Sequence, residues 1–236
     1  MATKSEKKQV PHEEQIRALT EISRAITSDL YLDDILTLVV SVTAKVMDSK
    51  ICSLWLVDEK KGELKLRATQ TISKEYLKER SLKLGEGVVG TVAKKNIPMS
   101  IYNVLKKREY KEKEMARKEK LSSMLSVPLV VKEKVIGVIN CYSQRPRRFS
   151  EVEVNLLTGV ASQAAVAIEN TELMVKTRVI QEELEARKLI DRAKEMLMAK
   201  KGLSGSAAFR RMQKMSMNTR KPMRDIAEAI LLAEEI

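Results

Sequence analysis

Aromatic residues are scarce: one Trp, two Phe and five Tyr make up 3% of the 236 residues. The interior must therefore be aliphatic, filled by Leu, Ile, Val and 12 Met. Cys52 and Cys141 are the only cysteines, too few for a disulfide framework or a zinc site. No apolar run approaches the length of a membrane span, and the polar start MATKSEKKQV lacks the apolar core of a signal peptide. Those absences lead to the expectation of a cytoplasmic protein with no membrane partner, and they offer no metal site.

Acidic residues are also nearly missing from one long stretch. Between Arg187 and Arg224 only Asp191 and Glu195 oppose 12 Lys and Arg, a local balance of +10 in a chain whose total is +12. Each cation that neutralises a phosphate releases counterions, so this density is a footprint for nucleic acid. Ala186, Leu189, Ile190, Ala193, Met196 and Leu197 recur at helical spacing, which buries one side and turns the cations outward. Gly202 ends that helix, and Ser204 or Ser206 can cap a second. The second helix is expected to carry Ala208, Phe209, Met212 and Met215 inward, with Arg210, Arg211 and Lys214 outward. Pro222 suits the first turn of a third, with Met223, Ile226, Ala227, Ile230 and Leu231 apolar. A solvated lysine-rich surface would show the same charge.

The spacing AR–x5–AK–xx–LM, at Ala186, Arg187, Ala193, Lys194, Leu197 and Met198, resembles the ANTAR domain. So do Gly202, the Ala-Ala-Phe at 207–209, Met217-Asn218 and Ala227, over roughly 176–236. Glu195 departs from the glycine many members carry after the AK pair. The resemblance implies an RNA-binding module that holds paired stem-loops of a leader transcript, usually as a dimer, and prevents a terminator hairpin. Arg187, Lys188, Arg192, Lys194, Lys200, Lys201, Arg210, Arg211, Lys214 and Arg220 are the expected RNA contacts, Arg187 and Lys194 foremost. Loop-base readout is expected from Arg, Asn218 and backbone groups, with Phe209 buried.

Upstream, residues 1–12 read as a disordered tail and 12–28 as an amphipathic helix with Ile16, Leu19, Ile22 and Ile26 on one face. Asp33 or Asp34 opens a second helix carrying Ile35, Leu38, Val39, Val42 and Val46. The period then changes. Ile51–Val57 and Leu64–Thr69 read as strands about a Lys60-Lys61-Gly62 turn, followed by a polar helical connection at 73–80. GEGVVGTVAKKNIPMSI at 85–101 reads as a turn, a short helix and a strand entered at Pro98. A charged loop or helix at Lys106–Lys120 lies over the domain face, and Met124–Val131 with Val135–Tyr142 form a hairpin.

Gly85-Glu86-Gly87 with Gly90, Asn96-Ile97-Pro98, Ser126-Val127-Pro128-Leu129 and Val135-Ile136-Gly137-Val138 resemble the GAF domain over roughly 13–170, a PAS-related sensor fold. The implied fold is α+β on an antiparallel sheet. The glycines are not a phosphate loop, because no GK[ST] follows and the dinucleotide spacing is absent. The resemblance implies a cavity bordered by Trp55, Ile101, Tyr102, Met124 and Ser126 for a small-molecule ligand, with no cofactor specified. Asn140 and Phe149 echo the cyclic-nucleotide motif only loosely. His12, the sole histidine, lies in the tail, which argues against haem, and a Cys-His pair for a bilin is missing.

From Ser150 a helix runs through 150–200, with Ser150 and Glu153 as a capping box. Leu157, Ala161, Ala164, Ile168 and Val175 make one stripe, and Leu173, Ile180 and Leu184 a second. A seam of this length calls for a parallel coiled-coil homodimer, or else for packing on the sheet. The resulting expectation is a signal-responsive, non-enzymatic RNA-binding antitermination regulator. Rival readings are a DNA-binding regulator, or a GAF-type sensor or methionine sulfoxide reductase using Cys52 or Cys141.

Overall fold

The computed structural model describes residues 32–70 and 80–233, together with Glu13, Ile16 and Thr20. The 1–12 tail, most of the 12–28 helix and all but Arg80 of the 73–80 connection lie outside these residues. Two compact units divide the chain at Glu172 and Leu173.

The first unit is built on a six-stranded antiparallel sheet in the order β3-β2-β1-β6-β5-β4. Its strands are β1 (Ile51–Asp58), β2 (Glu63–Thr69), β3 (Ser81–Lys83), β4 (Met99–Ile101), β5 (Ser123–Val131) and β6 (Lys134–Ser143). The central strands β1, β5 and β6 are apolar at almost every position because both faces are covered. Cys52, Leu54, Leu125, Val127, Ile139 and Cys141 face α1 (Leu32–Val46) and the first turns of α4 (Glu151–Lys201). Trp55, Met124, Val138 and Tyr142 face α2 (Gly87–Lys95) and α3 (Lys113–Lys118). The charged Lys106–Lys120 stretch is thus anchored on this second face by Tyr110, Met115 and Ala116, all buried.

Turn chemistry holds the register. Gly62 closes the β1–β2 hairpin with its N–H donating to the Asp58 carbonyl at 2.8 Å. Lys132 and Glu133 both take positive φ (47° and 66°) in the two-residue β5–β6 turn, the twist-matched geometry for tight hairpins. Gly90 has no alternative: a Cβ there would fall on the Lys83 carbonyl oxygen. Glu86 accepts from the Lys83 N–H (3.1 Å) and pairs with Lys111 (3.1 Å), so the glycine-rich stretch is tied into the protein's own backbone.

The capping box opens α4 as expected: Ser150 N–H donates to Glu153 Oε2 at 2.7 Å, and Glu153 N–H to Ser150 Oγ at 3.3 Å. Leu157, Ala161, Ala164 and Ile168 then pack on the sheet. The second unit contains the last turns of α4, α5 (Gly205–Thr219) and α6 (Met223–Leu232). Gly202 takes φ 63° after α4, and Ser204 caps α5 by accepting from Ala207 N–H at 3.3 Å. Pro222 is the N-cap of α6 and not its first helical residue. Ala193, Leu197, Ala208, Met212, Ile226 and Ala227 form the core, with Leu189, Ile190, Leu203, Met223, Ile230 and Leu231 around it.

Candidate functional site

Ala193, Ala208 and Ala227, one on each helix of the second unit, let the three helices close around Leu197, Met212 and Ile226 and leave their charged faces outside. Arg187, Lys188, Arg192, Lys200 and Lys201 stand exposed on α4, and Arg210, Arg211 and Lys214 on α5. Arg220 is exposed in the left-handed residue (φ 55°) that ends α5. Lys194 differs: it is half-buried, and its Nζ donates to Asp191 Oδ1 at 3.3 Å, one turn away. Ser216 Oγ donates to the Lys221 carbonyl at 2.6 Å and fixes the turn into α6. This arrangement presents a positive surface on a rigid support, suited to a polyanion.

Two residues expected inside this core are outside it. Phe209 is 45% exposed and Met215 is exposed as well. A helix buries one stripe, and Ala208 with Met212 already fill it. Phe209 stands 100° round from Ala208, at the edge.

The second face of the sheet in the first unit carries a polar row. Ser53, Asn140 and Ser126 are neighbours in register across β1, β6 and β5, and all are buried. Ser126 Oγ donates to Asn140 Oδ1 at 2.7 Å, and Asn140 Nδ2 donates to Ser53 Oγ at 3.2 Å. Burial pushes the Tyr142 phenol well above its ordinary value, reinforced by Tyr110 and by the Glu112 carboxylate. Trp55 Nε1 is buried on the same face and, among the described residues, has no acceptor. Trp55, Ile101, Met124 and Ser126 thus come together on one face, whereas the Tyr102 ring is exposed. Ser53, Tyr110 and Tyr142 were not singled out from the sequence. The available signal was a polar residue interrupting each of three apolar strands, as Ser53, Asn140 and Ser126 do.

Cys52 and Cys141 face each other across β1 and β6 on the opposite side, both buried and both free thiols. Burial pushes the Cys52 thiol well up, and the neighbouring Cys141 pushes it further. A neutral, enclosed thiol is a poor nucleophile. Among the described residues no group of three His, Cys, Asp or Glu could hold a metal ion, and no helix is long and apolar enough to cross a membrane.

The family model of the GAF domain matches residues 29–169, and that of the ANTAR domain matches 178–231. The chain belongs to the GAF family and carries an ANTAR domain. The GAF domain supplies the sensor-type fold and the ANTAR domain an RNA-binding module of antitermination regulators. The GAF part is similar to an Escherichia coli protein described as a phosphoenolpyruvate-dependent phosphotransferase system, 26% identical over 66% of this chain. It is also similar to a Methanosarcina acetivorans methyl sulfide methyltransferase-associated sensor, 25% identical over 68% of this chain. The chain spans only 21% and 16% of the length of these curated relatives. Among solved structures, the GAF domain of a Coxiella burnetii phosphoenolpyruvate-protein phosphotransferase matches with TM-score 0.63 and 22% identity, over 71% of this chain and 99% of that one. The free methionine-R-sulfoxide reductase of Neisseria meningitidis matches with TM-score 0.58 and 18% identity, over 70% and 95%. At such identities these two structures establish the fold alone.

Proposed function

We propose that the protein is a signal-responsive antitermination regulator that binds two RNA hairpins through a pair of ANTAR heads. The observation that carries this reading is the coincidence of the ANTAR match with the exposed cations of the second unit. Arg187, Lys188, Arg192, Lys200, Lys201, Arg210, Arg211, Lys214 and Arg220 attract phosphates, and Lys194 is oriented by Asp191. Pairing of two chains is supported by Leu173, Ile180 and Leu184, which leave an apolar stripe exposed on α4. Such a stripe, with 7- and 4-residue spacing, is the seam of a parallel two-stranded coiled coil.

The signal is a small molecule held by the GAF domain. The buried polar row and the unmatched Trp55 Nε1 support a ligand that accepts a hydrogen bond from the indole. Ligand binding on that face biases the pairing of α4, and with it the separation of the two heads. Burial of both thiols weighs against the reductase reading.

The test is a salt series comparing hairpin RNA with duplex DNA for the full chain. Preferential RNA binding, weakened at least fivefold by Arg187→Ala with a shallower salt slope, supports the proposal. Equal, salt-labile binding to both nucleic acids reduces the basic surface to nonspecific attraction. A preference for duplex DNA favours the DNA-regulator reading.

A further inference from the structure

Phe209 is the sole aromatic residue in 173–236, and the fold places it on the surface. Burying an aromatic ring is among the largest contributions a side chain makes to a small core. This unit nonetheless closes its core with Ala, Leu, Ile and Met and leaves the ring 45% exposed. Its surroundings follow from helix geometry. Gly205 and Phe209 are one turn apart on the same face of α5. The Met198 thioether sulfur lies 3.5 Å from where a Gly205 Cβ would stand, and Met198 is itself 38% exposed. Gly205 thus marks where α5 meets Met198 of α4, and Phe209 stands one turn further along the same face.

The same side of α4 is cationic. Arg187, Lys194, Met198 and Lys201 recur at intervals of seven, four and three residues, which sets them on one stripe. A flat apolar platform with Lys194 and Lys201 within about one turn of Met198, and Arg187 about 16 Å further along the same stripe, matches one kind of occupant: a nucleobase, which presents a π-face to the ring while the phosphates of its strand meet the cations. A protein partner would need carboxylates for the cations and would have no use for a single exposed ring among them.

We propose that Phe209, backed by Met198, is the stacking platform for one unpaired base in the loop of a bound RNA hairpin. This inference rests on the RNA-binding reading above and adds to it a residue that recognises a base and not a phosphate. Stacking tolerates any base, so Phe209 selects an extruded loop nucleotide over a paired one. Sequence discrimination at that position falls to neighbouring polar groups.

The experiment uses the full-length protein and an RNA carrying two short hairpins with unpaired loop nucleotides. Affinities are measured across a salt series for the parent, Phe209→Ala and Phe209→Trp, with helicity recorded for each. Loss of stacking on one base is expected to weaken Phe209→Ala binding roughly tenfold at every salt concentration. The slope of log affinity against log salt stays that of the parent, because no phosphate contact is lost. Phe209→Trp restores binding. Replacing each loop nucleotide in turn by an abasic one identifies a position at which parent and Phe209→Ala bind equally.

Four results overturn the proposal. Parent-like affinity of Phe209→Ala, with the parent bound to RNA, removes the platform and leaves the RNA-binding reading intact. A Phe209→Ala protein of normal helicity with a shallower salt slope assigns the residue to positioning the cations. A changed oligomeric state in Phe209→Ala assigns the patch to a protein contact. A parent that binds no hairpin RNA defeats the underlying reading itself.

Discussion

Glu153 shows how much a single side chain holds at the entry to α4. Burial alone would raise its carboxyl, yet the Ser150 N–H and hydroxyl and the Arg147 guanidinium hold it below its ordinary value. A group whose folded value is depressed stabilises the fold above its unfolded value, and that contribution is lost as pH falls through the folded one. Glu153→Gln keeps a capping-box acceptor but loses the charge that pairs with Arg147, and is therefore expected to lower stability at neutral pH by up to about 1 kcal/mol. The variant's deficit should shrink as pH falls below the ordinary carboxylate range and through the depressed folded value, where the parent also loses the charge. The check is urea unfolding followed by fluorescence of Trp55, the only tryptophan and so a reporter of the GAF unit alone. A deficit that does not shrink anywhere in the acid range would show that the carboxylate charge is not what Ser150 and Arg147 stabilise. The residue scale is also where reading from sequence failed most. Phe209 and Met215 sit one and three positions from the core residues Ala208 and Met212, close enough in period to be assigned inward. Which of several adjacent apolar residues occupies a narrow stripe is decided by the partner helices, and periodicity alone does not contain that.

Among the elements, β1, β5 and β6 were legible as apolar runs and β2 by its strict alternation, each bounded by a charged turn, and both hairpins fell where Gly62 and Lys132-Glu133 turn the chain. The strand β3 was not found. It has three residues, only Leu82 is buried, and its strand character comes from pairing with β2 at the sheet edge. The polar row was half-legible: Ser126 was named, but Ser53 becomes its companion only through a register that spans three strands. On α4 the change comes along the helix, and Val175 at the end of the first stripe is already exposed. Leu157, Ala161, Ala164 and Ile168 are consumed by the sheet, whereas Ile180 remains 63% exposed. A lysine in a coiled-coil seam would have to be desolvated, whereas on a solvated helix it costs little. Ile180→Lys is thus expected to shift sedimentation from dimer to monomer without loss of the GAF unit's cooperative melt. An unchanged oligomeric state would place the dimer contact elsewhere or remove it.

The whole molecule pairs a sensor-type unit that has a buried polar row with a basic RNA-binding unit, and α4 runs in one piece from Glu151 to Lys201 through both. The charge is unevenly placed: the stretch 187–224 sets 12 Lys and Arg against only Asp191 and Glu195, while acidic residues flank it on both sides. In the proposed dimer, two such heads would make the second hairpin an intramolecular ligand, and linkage of this kind raises apparent affinity by about 10²–10⁴ without any new contact. The central claim is therefore tested most directly by the ratio of affinities for a two-hairpin RNA and for either hairpin alone, measured on the full chain at fixed salt. The account predicts a ratio of at least about 10² for the parent, collapsing toward unity in Ile180→Lys. Equal affinity for one and two hairpins in a dimeric parent would contradict it.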